Sequence, residues 1–247
     1  MVVKAKNPQG FTIVFNEDEH TYFIEETGRK LTGVTTFNKQ FFPEFDLEYW
    51  SYKKAMQWGV TQESVKAKWK AKADYATSNG HLVHQYAEFC LTGERPLPDP
   101  NSERTERLFR RVDESILMLL RYFFFVDAEK IVFSPELGLS GTIDLVMQNK
   151  KTKGIALLDW KQNAEIKREN SFDNCLPPIA HLESCDFVKY SMQLSMYKKI
   201  SDIENYFPGQ KIETLGLIHL LEDQSPVNIP IKYRGEEIEL MLESACL

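Results

Sequence analysis

The sequence predicts a mixed α/β domain in which helices cover a central β-sheet. Three observations lead there. Between Ser102 and Phe125, apolar side chains return every three or four residues, the period of a helix with one buried face. The runs 129–136, 140–148 and 154–160 are instead short and apolar, and polar turns separate them, as expected of strands. Helices, a strand meander, another helix and more strands follow in that order, a succession that sets helices against a sheet.

The elements can be justified in turn. In "FTIVFNEDEHTYFIEETGRKLTGVTTF" alternating apolar residues flank the polar turn "NEDEH", which predicts a β-hairpin, and "ETGRK" makes a second turn. Segments 46–58 and 61–74 mix aromatic residues with Lys and Glu and read as helices. "ATSNGHLVHQYAEFCLTGE" predicts a further helix, starting at Ser78/Asn79 and stopped by Gly93. After the loop "GERPLPDPNS", the long helix from Ser102 to about Phe125 keeps Leu108, Val112, Ile116, Leu119 and Phe123 on one side. The three strands follow, the last two joined by the polar turn "NKKTKG". Segment 164–183, with Pro177 and Pro178, is irregular. A helix fits 184–202, strands fit 212–221 and 227–233, and a helix fits 235–244. There is no internal repeat. The chain reads as a single domain, 1–247, with a hairpin and helical subdomain over 1–100 and a core over 101–247.

Composition bounds the function. Apolar residues at 43% and charged residues at 27%, with sixteen Phe, fit a packed core rather than a disordered chain. No apolar run is long enough to span a bilayer, and "MVVKAKNPQG" lacks the apolar stretch of a secretory signal, so an intracellular, cytoplasmic protein is expected. Cys90, Cys175, Cys185 and Cys246 show no metal-ribbon spacing and are expected as free thiols. A net charge of −6 argues against a protein that coats nucleic acid without selectivity.

Chemistry concentrates in "GLSGTIDLVMQNKKTKGIALLDWKQ". Two apolar strands each hold one aspartate, Asp144 and Asp159, and Lys161 follows the second. Burying an unpaired carboxylate is costly, so charges inside apolar strands need a reason. Alternation puts Asp159 and Lys161 on one face, with Trp160 pointing the other way. If the strands pair as a hairpin, the two aspartates become neighbours, and a divalent cation would relieve their repulsion. Oxygen ligands of this kind suit Mg²⁺ or Mn²⁺ better than zinc. Lys161 could then hold a water or stabilise charge on a phosphate. The plainer reading is a half-exposed hairpin with Lys161 in an ion pair. The apolar setting "LLDW", and the extra carboxylate of Glu136 in "FSPELG", weigh against it.

On the helix containing "HLVHQYAE", His84 would by default be a packed histidine; beside the aspartates it becomes a candidate ligand. His81 competes one turn earlier, and Glu88, four residues on, could orient the imidazole. The order His-Glu-x-x-His of a zinc helix is missing. Gln193 and Tyr197 lie one turn apart with Tyr190 on the same side, a pattern that alone means packing. The phenylalanines of "TTFNKQFFPEF" read as core, with a stacking platform as the alternative.

Taken together, these residues resemble a known family. "PELGLSGTIDLV" followed by "IALLDWKQ" resembles the core motif of PD-(D/E)XK nucleases, in the branch of the RecB nuclease domain and lambda-type exonucleases. "NGHLVHQYAE" resembles that branch's helix with a metal-binding histidine, here His84, and "YSMQLSMYKKI" its Gln-x-x-x-Tyr motif, here Gln193 and Tyr197. "DEHTYFIEETGRKLTGVTTF" is similar to the opening of phage and viral members. The likeness spans roughly residues 16 to 200.

The resemblance implies a restriction-endonuclease-like core and a Mg²⁺- or Mn²⁺-dependent DNA exonuclease serving recombination, repair or replication. It implies Asp144, Asp159, His84 and the backbone carbonyl of Trp160 as metal ligands, with Glu136 adding a ligand directly or through water. Lys161 would orient the attacking water, and Gln193, Tyr197 and Tyr190 would hold the strand. DNA is the implied partner, with a recombinase or a single-strand-binding protein beside it, in a host cytoplasm if the source is a phage or virus. A site- or structure-specific endonuclease and a non-catalytic nucleic-acid-binding module stay open, as do polarity, strandedness and oligomeric state.

Overall fold

A computed structural model describes residues 2–16, 19, 21–94 and 96–245. It is a mixed α/β fold whose nine-stranded sheet has helices on both faces. Strands β1 (Val2–Lys6), β2 (Thr12–Asn16), β3 (Thr21–Ile24) and β4 (Lys30–Gly33) form an antiparallel meander. Further along, β5 (Phe123–Ser134) pairs antiparallel with β6 (Leu139–Asn149) from end to end. β7 (Ile155–Lys161) pairs with the end of β6 and lies parallel to β8 (Ile212–His219), and β9 (Val227–Ile231) adds to β8 antiparallel. The meander joins the same sheet: Thr32 and Gly33 of β4 pair in parallel with Leu139 and Ser140 of β6. Because β5 occupies one edge of β6, β4 and β7 must share the other. Residues 141–144 lie in the gap between them.

The helices are α1 (Val34–Lys39), α2 (Leu47–Trp58), α3 (Gln62–Thr92), α4 (Glu103–Tyr122), α5 (Asp186–Ile203) and α6 (Gly235–Ser244). On one face, Val146, Leu157 and Leu217 pack against α1, α5 and α6 through Phe37, Met192 and Ile238. On the other, Leu145, Leu158 and Trp160 pack against α3 and α4 through Val83, Val112 and Ile116. Each such side chain taken from water contributes about 2 kcal/mol, so burial on both faces explains why these strands are almost wholly apolar.

Two expectations change. Ser78 and Asn79 do not start a helix, because α3 runs unbroken from a cap at Thr61, whose Oγ1 accepts from Ser64 N at 3.2 Å. Asn79 is buried within it, and its Oδ1 accepts from Thr105 Oγ1 at 3.2 Å, tying α3 to α4. Gly93 does end the helix, in the left-handed region at φ 69°. The helical period through Phe123 also misleads. Helix α4 stops at Tyr122, and the aromatic and β-branched run 123–126 favours a strand, with Phe123 to Phe125 pairing with Asn149 to Met147. β5 therefore begins at Phe123 rather than at 129. Finally, β1 and α1 had no strong sequence signal. Glu17, Asp18 and His20 of the "NEDEH" turn lie outside the described residues, as does Cys246. Cys90, Cys175 and Cys185 are free thiols. Among the described residues, no helix is long and apolar enough to cross a membrane.

The unbroken α3 makes a prediction at Gly80. A Cβ there would meet Gln162 Nε2, the end of a flexible side chain, at 3.1 Å. Gln162 can withdraw, since its bond to Ala76 O is long, 3.3 Å. Glycine inside a helix costs about 1 kcal/mol relative to alanine. Gly80→Ala should therefore raise the Tm in thermal unfolding by about 2–4 °C; an unchanged or lower Tm would mean that helix does not run through this position.

Candidate active site

The ladder between β6 and β7 carries Leu145 opposite Leu158 and stops there. One more step of the same register would set Asp144 against Asp159, and at that step the strands part. Trp160 N–H donates to Asp144 Oδ2 at 2.9 Å, so a carboxylate takes the place of a backbone acceptor. β7 continues beside β8, with Asp159, Trp160 and Lys161 opposite Leu217, Ile218 and His219. Across the other edge of β6, Ile143 and Leu145 pair with Lys130 and Ala128, which sets Glu129 level with Asp144. Glu129 has a φ of 48°. That left-handed conformation costs a residue with a Cβ about 1–2 kcal/mol. Three adjoining strands thus bring Glu129, Asp144 and Asp159 into one row.

Helix α3 adds His84. Val83 and Ala87 are buried against the sheet side of α3. His84 Nδ1 lies 3.1 Å from Glu129 Oε1, and Nε2 lies 3.6 Å from Asp144 Oδ2. One ligand atom each from His84, Glu129 and Asp144 falls within 4.8 Å of the others, a grouping that can hold a metal ion. Asp159 is not part of that group. Its Oδ2 sits 2.5 Å from Lys161 Nζ, and its Oδ1 accepts a long bond, 3.5 Å, from Gln193 Nε2. His81, the competitor on α3, is exposed. The carboxylate that meets the imidazole is Glu129, where the sequence had offered Glu88.

Electrostatics mark the cluster as one unit. Burial disfavours a charged His84, but the carboxylates of Asp144, Glu129 and Asp159 outweigh it and raise its pKa to about 9. Burial, and then the charge of Asp144, raise Asp159 to about 6. Burial also raises Asp144, against the pull of His84 and Lys161. Burial opposes the charge of Lys161 too, yet Asp159 and Asp144 hold its ammonium above the usual lysine range. A row of carboxylates with an imidazole is a donor set that fits a divalent cation.

Helix α5 supplies the remaining residues. Lys161 Nζ lies 4.6 Å from the ring centroid of Tyr190, whose hydroxyl donates to Asn163 Oδ1 at 3.2 Å. Gln193 Nε2 also donates to the Tyr197 hydroxyl at 3.1 Å. Tyr197 itself is buried, with its ring against Gly141. It offers no open surface on which a strand could stack, contrary to expectation; its hydroxyl instead accepts from Gln193. Glu136 is also displaced from the expected position. It is exposed on the turn after β5, and Glu129 supplies the third carboxylate of the row. Counting outward from the β5–β6 turn, where Ser134 faces Leu139, arrives at Glu129 opposite Asp144; the expected strand bounds, 129–136 and 140–148, shift that count and miss the pairing.

No protein-family model and no curated protein matches the chain. Among solved structures, one similar to it is the crystal structure of a "putative exonuclease" from Eubacterium rectale. The two share 16% identity and a TM-score of 0.40 over 68% of this chain and 65% of that one, just under two thirds of its length. A likeness at that level carries no weight for the chemistry, which rests on the geometry of the site.

Two outcomes test that geometry. A Cβ on Gly141 would collide with Cε1 of Tyr197, a ring with no room to move. Gly141→Ala should therefore destabilise the fold by about 1–3 kcal/mol, read as a lower denaturation midpoint. For His84 to ligate, its proton must leave. With a pKa of about 9, it is protonated at neutral pH, so Mn²⁺ affinity should rise with pH towards 9, by up to about tenfold per unit. Calorimetry in buffers of different ionisation enthalpy should find close to one proton released per ion at pH 7.5. Binding without proton release would count against His84 as a ligand.

Proposed function

We propose that the chain is a divalent-metal-dependent deoxyribonuclease of the PD-(D/E)XK type, in the RecB-like and lambda-exonuclease-like branch, degrading DNA from an end in recombination, repair or replication. One observation carries the reading: β6 and β7 part where Asp144 and Asp159 face each other, with Lys161 on the same face as Asp159. His84, Asp144, Asp159 and the Trp160 carbonyl would hold the ion, with Glu129 orienting the imidazole through Nδ1. The oxygen-rich set suits Mg²⁺ or Mn²⁺. When bound, such an ion neutralises charge on a scissile phosphate and lowers the pKa of a water.

The chain's own residues supply the rest. Lys161, kept charged by two carboxylates and braced against the Tyr190 ring, orients the attacking water and offsets charge developing on the phosphate. Asp159 fixes the Lys161 ammonium at 2.5 Å, and Gln193 steadies the other oxygen of Asp159. Tyr190 and Gln193, both half-buried beside Lys161, face the substrate backbone.

Lys161→Ala and Asp159→Ala should each fold and lose DNA hydrolysis by at least about a hundredfold, and EDTA should abolish it in the wild type. End-labelled linear DNA should be degraded while closed-circular DNA survives. A Lys161→Ala protein that digests DNA at the wild-type rate would sink the mechanism, and cutting of closed circles would sink the end-dependence.

A further inference from the structure

A cavity of about 350 Å³ opens beside Tyr190 and Gln193, between α1, the segment after it and α5. Its floor holds Asn38, which is only 6% exposed. Both its Oδ1 and its Nδ2 are buried, and neither has a hydrogen-bond partner. A buried donor and acceptor left unpaired are costly, and native folds rarely keep them without a use. Phe42 and Phe45 also line the cavity. Phe42 is buried with its ring 5.6 Å from Lys189 Nζ, while Phe45 is 64% exposed and stands edge-on to Trp69. Lys39 and Lys189 are exposed at the rim, against the single carboxylate of Glu44.

We propose that this cavity takes one unpaired nucleobase of the substrate, so that the enzyme works on single-stranded or frayed DNA ends. The inference rests on the deoxyribonuclease reading and names its substrate class. An asparagine amide presents a donor and an acceptor side by side, which matches the edge of a base. In a duplex the Watson–Crick edge is already occupied, so the base must leave the helix to be read there. Aromatic rings give it a stacking surface whatever its identity, and two lysines suit the flanking phosphates. The volume lies at the small end of ligand sites, room for one nucleotide and none for a duplex. Gln193 links the cavity to the chemistry, since it lines the cavity and donates to Asp159.

The test is equilibrium binding in EDTA, where nothing is cut, with dye-labelled single-stranded and blunt duplex oligonucleotides. The wild type should bind the single strand about tenfold tighter than the duplex. Asn38→Leu, which keeps the size and removes the unpaired amide, should lose that tenfold for the single strand alone. Single strands lacking the bases of their two terminal nucleotides, at one end or the other, should bind the wild type about tenfold more weakly at one end only. They should cost Asn38→Leu nothing further, and the sensitive end gives the polarity. Equal binding of intact and base-free ends by the wild type, or Asn38→Leu binding single strands within twofold of it, would overturn the proposal. A wild type that binds single strands through Asn38 but cuts no DNA with Mg²⁺ or Mn²⁺ would overturn the deoxyribonuclease reading and leave the base pocket standing.

Discussion

The site depends on one hydrogen bond, Trp160 N–H to Asp144 Oδ2. In a regular antiparallel pair the next acceptor beyond Leu145 and Leu158 would be a backbone carbonyl, and the two strands would stay zipped. A carboxylate takes the amide instead, so the buried N–H remains satisfied while the strands separate. β7 continues beside β8, which carries Asp159 and Lys161 forward on one face. Next to the fork, the Tyr197 ring of α5 packs against Gly141 of β6, where a side chain would collide with it.

The charges around the fork would be unfavourable if they were independent. Glu129, Asp144 and Asp159 are set in a row where water is scarce, and desolvation pushes both aspartates towards their neutral forms. Lys161 answers Asp159, and protonated His84 answers Asp144 and Glu129. The field that holds a proton on His84 up to about pH 9 is the same field that would draw a cation. Asp159 is turned towards Lys161 and lies outside the His84–Glu129–Asp144 group.

Much of this was legible in the sequence, for physical reasons. Asp144, Asp159 and Lys161 declare themselves because charge inside an apolar strand is expensive and so must be used. The helix 235–244 and the strands of 140–160 follow from clean periodicity. Glu129 stays hidden because an expected strand running to 136 puts the turn too late, while the β5–β6 ladder closes with Ser134 opposite Leu139, which changes the partner of Asp144. Glu136 is near along the chain but lies beyond the end of β5, and alignment across the strands selects Glu129. Ser78 and Asn79 resembled a cap because their chemistry allows one, and only the packing of Asn79 against Thr105 assigns it to a helix interior. The resemblance puts His84 ahead of His81, and the packing of α3 supplies a physical reason, with Val83 and Ala87 buried and His81 exposed.

Helix α5 shows how one element can serve packing and chemistry together. Met192, Met196 and Ile200 anchor it in the core, which fixes the rotation of the whole helix. Lys189, Tyr190 and Gln193, in its first two turns, stay half-exposed or exposed. Tyr190 then braces Lys161, and Gln193 reaches Asp159 while its position is held by the buried Tyr197 hydroxyl. The same three residues line the cavity above Asn38. One amide therefore joins the cavity wall to Asp159, through a bond of 3.5 Å that is long enough to tighten or break without disturbing the core.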